Sequence, residues 1–175
     1  MRTQGSAKIV GIHSVSSVNG LRHAYSVSKT PEMRYLLLLQ AAGWMGQFRS
    51  YADKRESLRQ FNITQLEPSA GNVTTDEAIA EIFGGIPSKV DASAAHVLRL
   101  ARDTGSREAV LNAALKLTVT KGDEVHYYKY LAALIEDIPQ VSPAWQPHLT
   151  AGIVYYAKGL GHPESAPLKR GGRLR

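Results

Sequence analysis

The chain has 175 residues, 43% of them apolar and 21% charged, with 15 glycines, 8 prolines and no cysteine. That length suits one domain with a single sizeable core, and an ordinary charged fraction argues against wholesale disorder. Without cysteine the chain has no disulfide scaffold, thiolate zinc site, iron–sulfur cluster or cysteine nucleophile, so a metal would need imidazole, carboxylate or a modified lysine.

The 21 basic and 15 acidic residues leave a net charge of +6. From Lys158 onward there are five basic residues and one acid, so the tail carries +4 and the body only +2. A nearly neutral body with a basic tail is a weak signature for nucleic acid, and a nucleic-acid partner is not expected. The opening residues do not read as a targeting peptide. The most apolar run, Tyr35 to Phe48, is shorter than the about 20 residues a membrane span requires. The expectation is a cytoplasmic chain without a membrane partner.

Helical signals dominate in chain order. Ile9 to Ser28 places Ile9, Ile12, His13, Ser16, Ser17 and Gly20 on a face whose small residues admit a close neighbour. Thr30-Pro31-Glu32 then supplies an N-cap, a first-turn proline and an acid at the positive helix end. The helix it opens, Pro31 to Tyr51, is apolar nearly all round, which predicts a central helix packed on several sides. Residues 52–73 are polar and read as a long connection with a short helix at most. Shorter helices are predicted from Thr75 to Phe83, Asp91 to Asp103, Ser106 to Thr120 and Asp123 to Ile138. A last helix runs from Ser142 to Lys158. No sustained period-two alternation marks a strand. The sequence therefore predicts an all-α fold: a single-domain bundle of about six to seven helices packed as antiparallel pairs over 1–160, with a basic, solvated tail over 161–175.

The segment with most chemical content is Asp123-Glu-Val-His126-Tyr-Tyr-Lys129-Tyr130. His126 and Lys129 stand three apart, on one helical face and about 5–6 Å from each other at Cβ. Lys129 precedes a run of apolar residues, and apolar surroundings disfavour the ammonium form. A neutral amine can act as a base or take up carbon dioxide as a carbamate, an anionic ligand beside an imidazole. The plainer alternative is a lysine that snorkels to water. His13 lies in an apolar opening helix, where a hydrogen-bonded core role competes with metal ligation. His23, ten residues on, is about 80° round the helix from it. His96 reads as structural, His148 as a packing residue or further ligand, and His162 as exposed. Tyr127, Tyr128, Tyr130, Tyr155 and Tyr156 either line an aromatic pocket or edge the core with wet hydroxyls. No metalloprotease, di-iron, nucleophile-elbow or phosphate-loop motif is present, and there is no nucleotide or flavin motif.

Two of these segments resemble a known family. Gly11-Ile-His13-Ser-Val-Ser-Ser-Val-Asn-Gly-Leu-Arg22 is similar to the "His-x-Val-Thr-Gly-x-x-Ala-x-Arg" helix of questin oxidase-like proteins. Asp123-Glu-Val-His126-Tyr-Tyr-Lys129 is similar to their "Asp-x-His-x-x-Lys" helix, and the helix carrying Tyr155-Tyr156 has a counterpart. The resemblance spans roughly residues 9–158 and is to the C-terminal half of a longer enzyme. It implies an all-helical non-haem iron oxygenase acting on polycyclic aromatic ketones. Carried over, His13 and His126 are iron ligands and Lys129 is the lysine beside the metal, ligand or catalytic base. Tyr130 and Tyr155 then fall on the substrate side. The chain departs from the family where serine replaces the motif's threonine and glycine, at Ser16 and Ser17. The family's further histidines lie in an N-terminal half that has no counterpart in this sequence. Two imidazoles and a lysine leave an iron site open unless His148, a second copy of the chain or another subunit completes it. The competing expectation is a non-catalytic helical protein-interaction module that works as a homo-oligomer or with a second subunit.

Overall fold

A computed structural model describes residues 5–55, 63–71 and 73–171. The fold is all-α, and no strand occurs among the described residues. No helix among them is long and apolar enough to cross a membrane. The chain divides into two compact units, residues 1–61 and 62–175, where the sequence reading expects one domain over 1–160.

The first unit is a helical hairpin of α1 (Gly5–Val27) and α2 (Pro31–Arg55). Its turn is built as the sequence predicts. Thr30 Oγ1 accepts from Met33 N at 3.2 Å, Pro31 occupies the first helical position and Glu32 sits in the first turn. Arg34 locks the bend, donating from Nε to Ser28 O at 3.1 Å with its guanidinium 5.7 Å from the Tyr25 ring centroid. The expectation that α2 is a central helix packed on several sides is not met. Tyr35, Leu36, Leu38, Leu39, Met45 and Tyr51 are all exposed, and Ala52 is the one buried residue among the described side chains of α2. The reason is geometric: α2 has one helical neighbour in its unit, and one neighbour covers one stripe, here Leu37, Ala41, Phe48 and Ala52. α2 also continues to Arg55, past the predicted end at Tyr51. The rest of the predicted connection is a 3₁₀ turn, Ile63–Gln65, followed by chain without regular structure, with 56–62 and 72 outside the described residues.

The second unit contains α3 (Thr75–Gly84), α4 (Val90–Leu100), α5 (Thr104–Lys121), α6 (Val125–Asp137), α7 (Gln146–Ala151) and α8 (Ala166–Gly171). Local chemistry sets the starts of α3 and α5. Thr74 and Glu77 form a reciprocal capping box at α3, and Asp103 Oδ2 accepts from Ser106 N at 2.8 Å at α5. The central helix of this unit is α4, which packs against α3, α5, α7 and a 3₁₀ turn. Its Ala94, Val97 and Leu98 lie in a core with Ile82, Phe83, Val110, Leu134, Ile153 and Val154, all at most 1–2% exposed. The predicted last helix over 142–158 is instead the short α7 followed by a 3₁₀ turn, Gly152–Tyr156.

Residues 161–165, expected in the solvated tail, are pinned to the unit. Leu160 N donates to Phe83 O at 2.8 Å, Ser165 N donates to Thr120 O at 2.8 Å, and Ser165 is buried. His162, expected to be exposed, is half-buried and accepts from Gly159 N at 3.0 Å through Nδ1. Gly159 makes this docking possible. A Cβ there would lie 2.6 Å from the carbonyl oxygens of both Phe83 and Ile86, which are backbone atoms and cannot swing aside. Gly159→Ala is expected to lower unfolding free energy by about 1–3 kcal/mol, the usual range for overpacking, as measured by urea denaturation. A surface control such as Gly161→Ala, where a Cβ meets open space, should change little.

Candidate functional site

The sequence-predicted residues fall in different units. His13 lies on α1 of the first unit, half-buried, and His126, Lys129, Tyr130 and Tyr155 lie in the second. Around His13 the hairpin forms an open cleft of about 390 Å³ lined by Val10, His13 and Ser17 of α1 and Trp44, Phe48 and Tyr51 of α2. Both sets follow helical spacing, so each comes from one face of its helix. The Trp44 and Phe48 ring centroids are 5.3 Å apart. An imidazole and a hydroxyl thus face an aromatic wall, which suits a flat apolar ligand more than a charged one.

In the second unit, His126 is the second residue of α6, and its Nδ1 lies 3.3 Å from Glu124 Oε2. Glu124 also accepts a hydrogen bond from the Tyr156 hydroxyl. Tyr127 stacks on Tyr156 with centroids 4.6 Å apart, and Tyr130 meets Tyr156 edge-on at 5.9 Å. Lys158 closes the group: its Nζ is 2.9 Å from Asp123 Oδ1 and 4.4 Å from the Tyr127 centroid. These contacts tie the start of α6 to the 3₁₀ turn that precedes Lys158.

The electrostatics follow from burial and pairing. Burial alone would depress the Lys158 ammonium, but its bonds to Asp123 and Tyr127 outweigh that and raise its pKa. The hydrogen bond from Lys158 pulls the Asp123 carboxyl below the ordinary aspartate value. Burial, reinforced by the Glu124 carboxylate, pushes the Tyr156 phenol upward. Burial alone does the same for Tyr130. Both phenols are therefore hydrogen-bond donors at neutral pH, not bases.

Several sequence expectations change here. Lys129 is exposed, so the apolar surroundings that would favour a neutral amine are absent around it. The large buried side chains of α6 are Leu131 and Leu134, with Ile138 beyond its end, whereas Lys129 stands one turn before the smaller buried Ala133 and is itself exposed. The buried lysine at this place, against the Tyr127 ring, is Lys158, which the sequence marks only as the first of the basic residues towards the C-terminus. Its partners Asp123 and Tyr127 are more than thirty residues away, so no local signal marks it. Tyr130 spends its hydroxyl on Gly152 O at 2.8 Å, and Tyr155 turns to Asp91 Oδ1 at 3.3 Å. Tyr156 joins Tyr127 and Tyr130 of α6.

His96 takes the structural role expected of it. Ser69 Oγ lies 3.1 Å from His96 Nδ1 and accepts from Arg99 Nε at 3.2 Å, while Ser69 N donates to Ala95 O at 3.1 Å. Glu81 is 3.8 Å from His96 Nε2, beyond hydrogen-bond reach, so the arrangement latches the 66–71 segment to α4. His148 has a buried Nδ1 without a hydrogen-bond partner, and its ring centroid is 5.3 Å from that of Trp145. Among the described residues, no three His, Cys, Asp or Glu side chains converge to hold a metal ion.

The Lys158–Asp123 pair has a pH signature. A raised lysine pKa contributes stability that is present below its ordinary value of 10.5 and lost as pH rises through the folded value. A lowered aspartate pKa contributes stability that is present above 3.8 and lost as pH falls through the folded value. Lys158→Met is expected to cost about 1 kcal/mol at pH 7, modest because Asp123 is 64% exposed to screening water. In denaturation curves across pH, the cost should shrink as pH falls below 3.8 and as it rises above 10.5.

No family model matches the chain, and neither a curated protein nor a solved structure does.

Proposed function

We propose that this chain is a non-catalytic helical protein-interaction module whose docking element is the α1–α2 hairpin. One observation carries this reading: the outer face of α2 is apolar and exposed from Tyr35 to Met45. In the first unit only Ile12 and Ala52 are buried apolar side chains among the described residues. Two helices of 23 and 25 residues cannot be held by so small a core, and an apolar face of this extent is a feature of protein–protein contact. Benzoylphenylalanine placed at Leu39, on that face, is expected to form covalent protein adducts on irradiation in cells. The same group at exposed Glu108 in the second unit is the control and should form none. Equal or absent labelling at the two positions would overturn the reading.

A second reading is the metal-dependent oxygenase implied by the questin oxidase-like resemblance. It is favoured by His13 standing in an aromatic-walled cleft of a size for a polycyclic ketone. It requires His13, His126 and Lys129 to find the rest of a ligand set in a partner or a second copy. Elemental analysis of protein purified without chelator should then find near-stoichiometric iron that His126→Ala removes. Metal-free protein that takes up no iron would end this reading.

A further inference from the structure

We infer that the covering surface for the outer face of α2 is the same face of a second copy of this chain, packed antiparallel about a two-fold axis. The inference rests on the interaction-module reading and names its partner. Glu32, Tyr35, Leu39, Ala42, Gly46 and Arg49 follow alternating steps of three and four residues, the spacing of a helix–helix seam, and all six are exposed. They lie opposite the stripe that meets α1.

The seam is self-complementary in one register. Placed antiparallel on itself, it sets Tyr35 over Gly46, Leu39 against Ala42 and Glu32 beside Arg49. Each contact then occurs twice, as a two-fold interface demands. The flanking positions fit the same register: Leu38 and Met45 share one edge of the seam and meet each other across the axis, and Leu36 on the other edge meets Gly43. Along the seam large residues therefore meet small ones, and opposite charges meet at both ends. Added Cβ atoms at Gly43 and Gly46 would contact nothing within 4 Å, so there is room above both glycines for a partner's side chains.

Area supports the same conclusion. Tyr35, Leu36, Leu38, Leu39 and Met45 are 62%, 57%, 56%, 51% and 47% exposed. Together they offer on the order of 500 Å² of apolar surface. With the small residues and the charged ends, the face approaches the about 800 Å² per partner of a stable complex. Two such hairpins, joined through α2, form a four-helix bundle in which each α2 is covered on both sides.

Light scattering of the full chain at tens of micromolar should give twice the monomer mass of 19.1 kDa. Leu39→Asp should weaken dimerisation at least about tenfold while circular dichroism remains helical, as expected for a charge buried at an interface core. Glu32→Arg and Arg49→Glu should each weaken it severalfold, and the double exchange should restore it, which only this register predicts. A wild-type chain that is monomeric at every concentration would overturn the inference. So would a dimer indifferent to Leu39→Asp, or a double exchange weaker than either single one. The adduct at position 39 separates the two levels. A covalent dimer of the chain supports self-pairing. An adduct with a different protein refutes self-pairing and leaves the interaction module standing, and no adduct refutes both.

Discussion

Apolar side chains can leave water only where a neighbouring element covers them, and the number of neighbours decides how much of a helix is hidden. α4 has neighbours on several sides and its apolar residues sit in a core with almost no exposure. α2 carries comparable apolar content and has one neighbour in its unit, so its inner stripe is shielded and its outer face is left in water. Each proposed property of the first unit descends from that difference. An aromatic cleft opens along the inner seam, and an uncovered apolar seam runs along the outside.

The second unit shows how polar chemistry is used when the core is complete. Its buried or half-buried polar groups cross-link elements that apolar packing has already brought together. Ser93 Oγ donates to Ile82 O at 2.8 Å between α4 and α3, Ser69 latches a loop to α4, and Lys158 joins Asp123 across the aromatic group of Tyr127 and Tyr156. Such bonds contribute modestly while made and cost more when one partner is removed and the other stays buried. The buried, unpartnered Nδ1 of His148 departs from that pattern among the described residues.

Much of the helical framework is legible in the residue pattern because its signals are local. The Thr30-Pro31-Glu32 cap acts within one turn and α2 starts where it predicts, and the start of α3, predicted at Thr75, is likewise fixed by a local contact, between Thr74 and Glu77. The site residues are less legible. His126 is half-buried beside Glu124, two residues away, a contact that local spacing can suggest. The exposure of Lys129 and the enclosure of Lys158 depend on which side of α6 faces the core and on what lies thirty residues further along.

The sequence by itself determined the all-α class, most helix starts and the absence of cysteine chemistry, since helical propensity, capping and composition are properties of short segments. Only the tertiary structure decided that α4 and not α2 is the central helix, and that residues 161–165 are pinned. It also decided that Tyr156 packs on Tyr127 and Tyr130 of α6. An apolar helix reads the same whether one neighbour or four surround it. The count of neighbours is set by contacts between residues far apart in the chain, and periodicity carries no record of them.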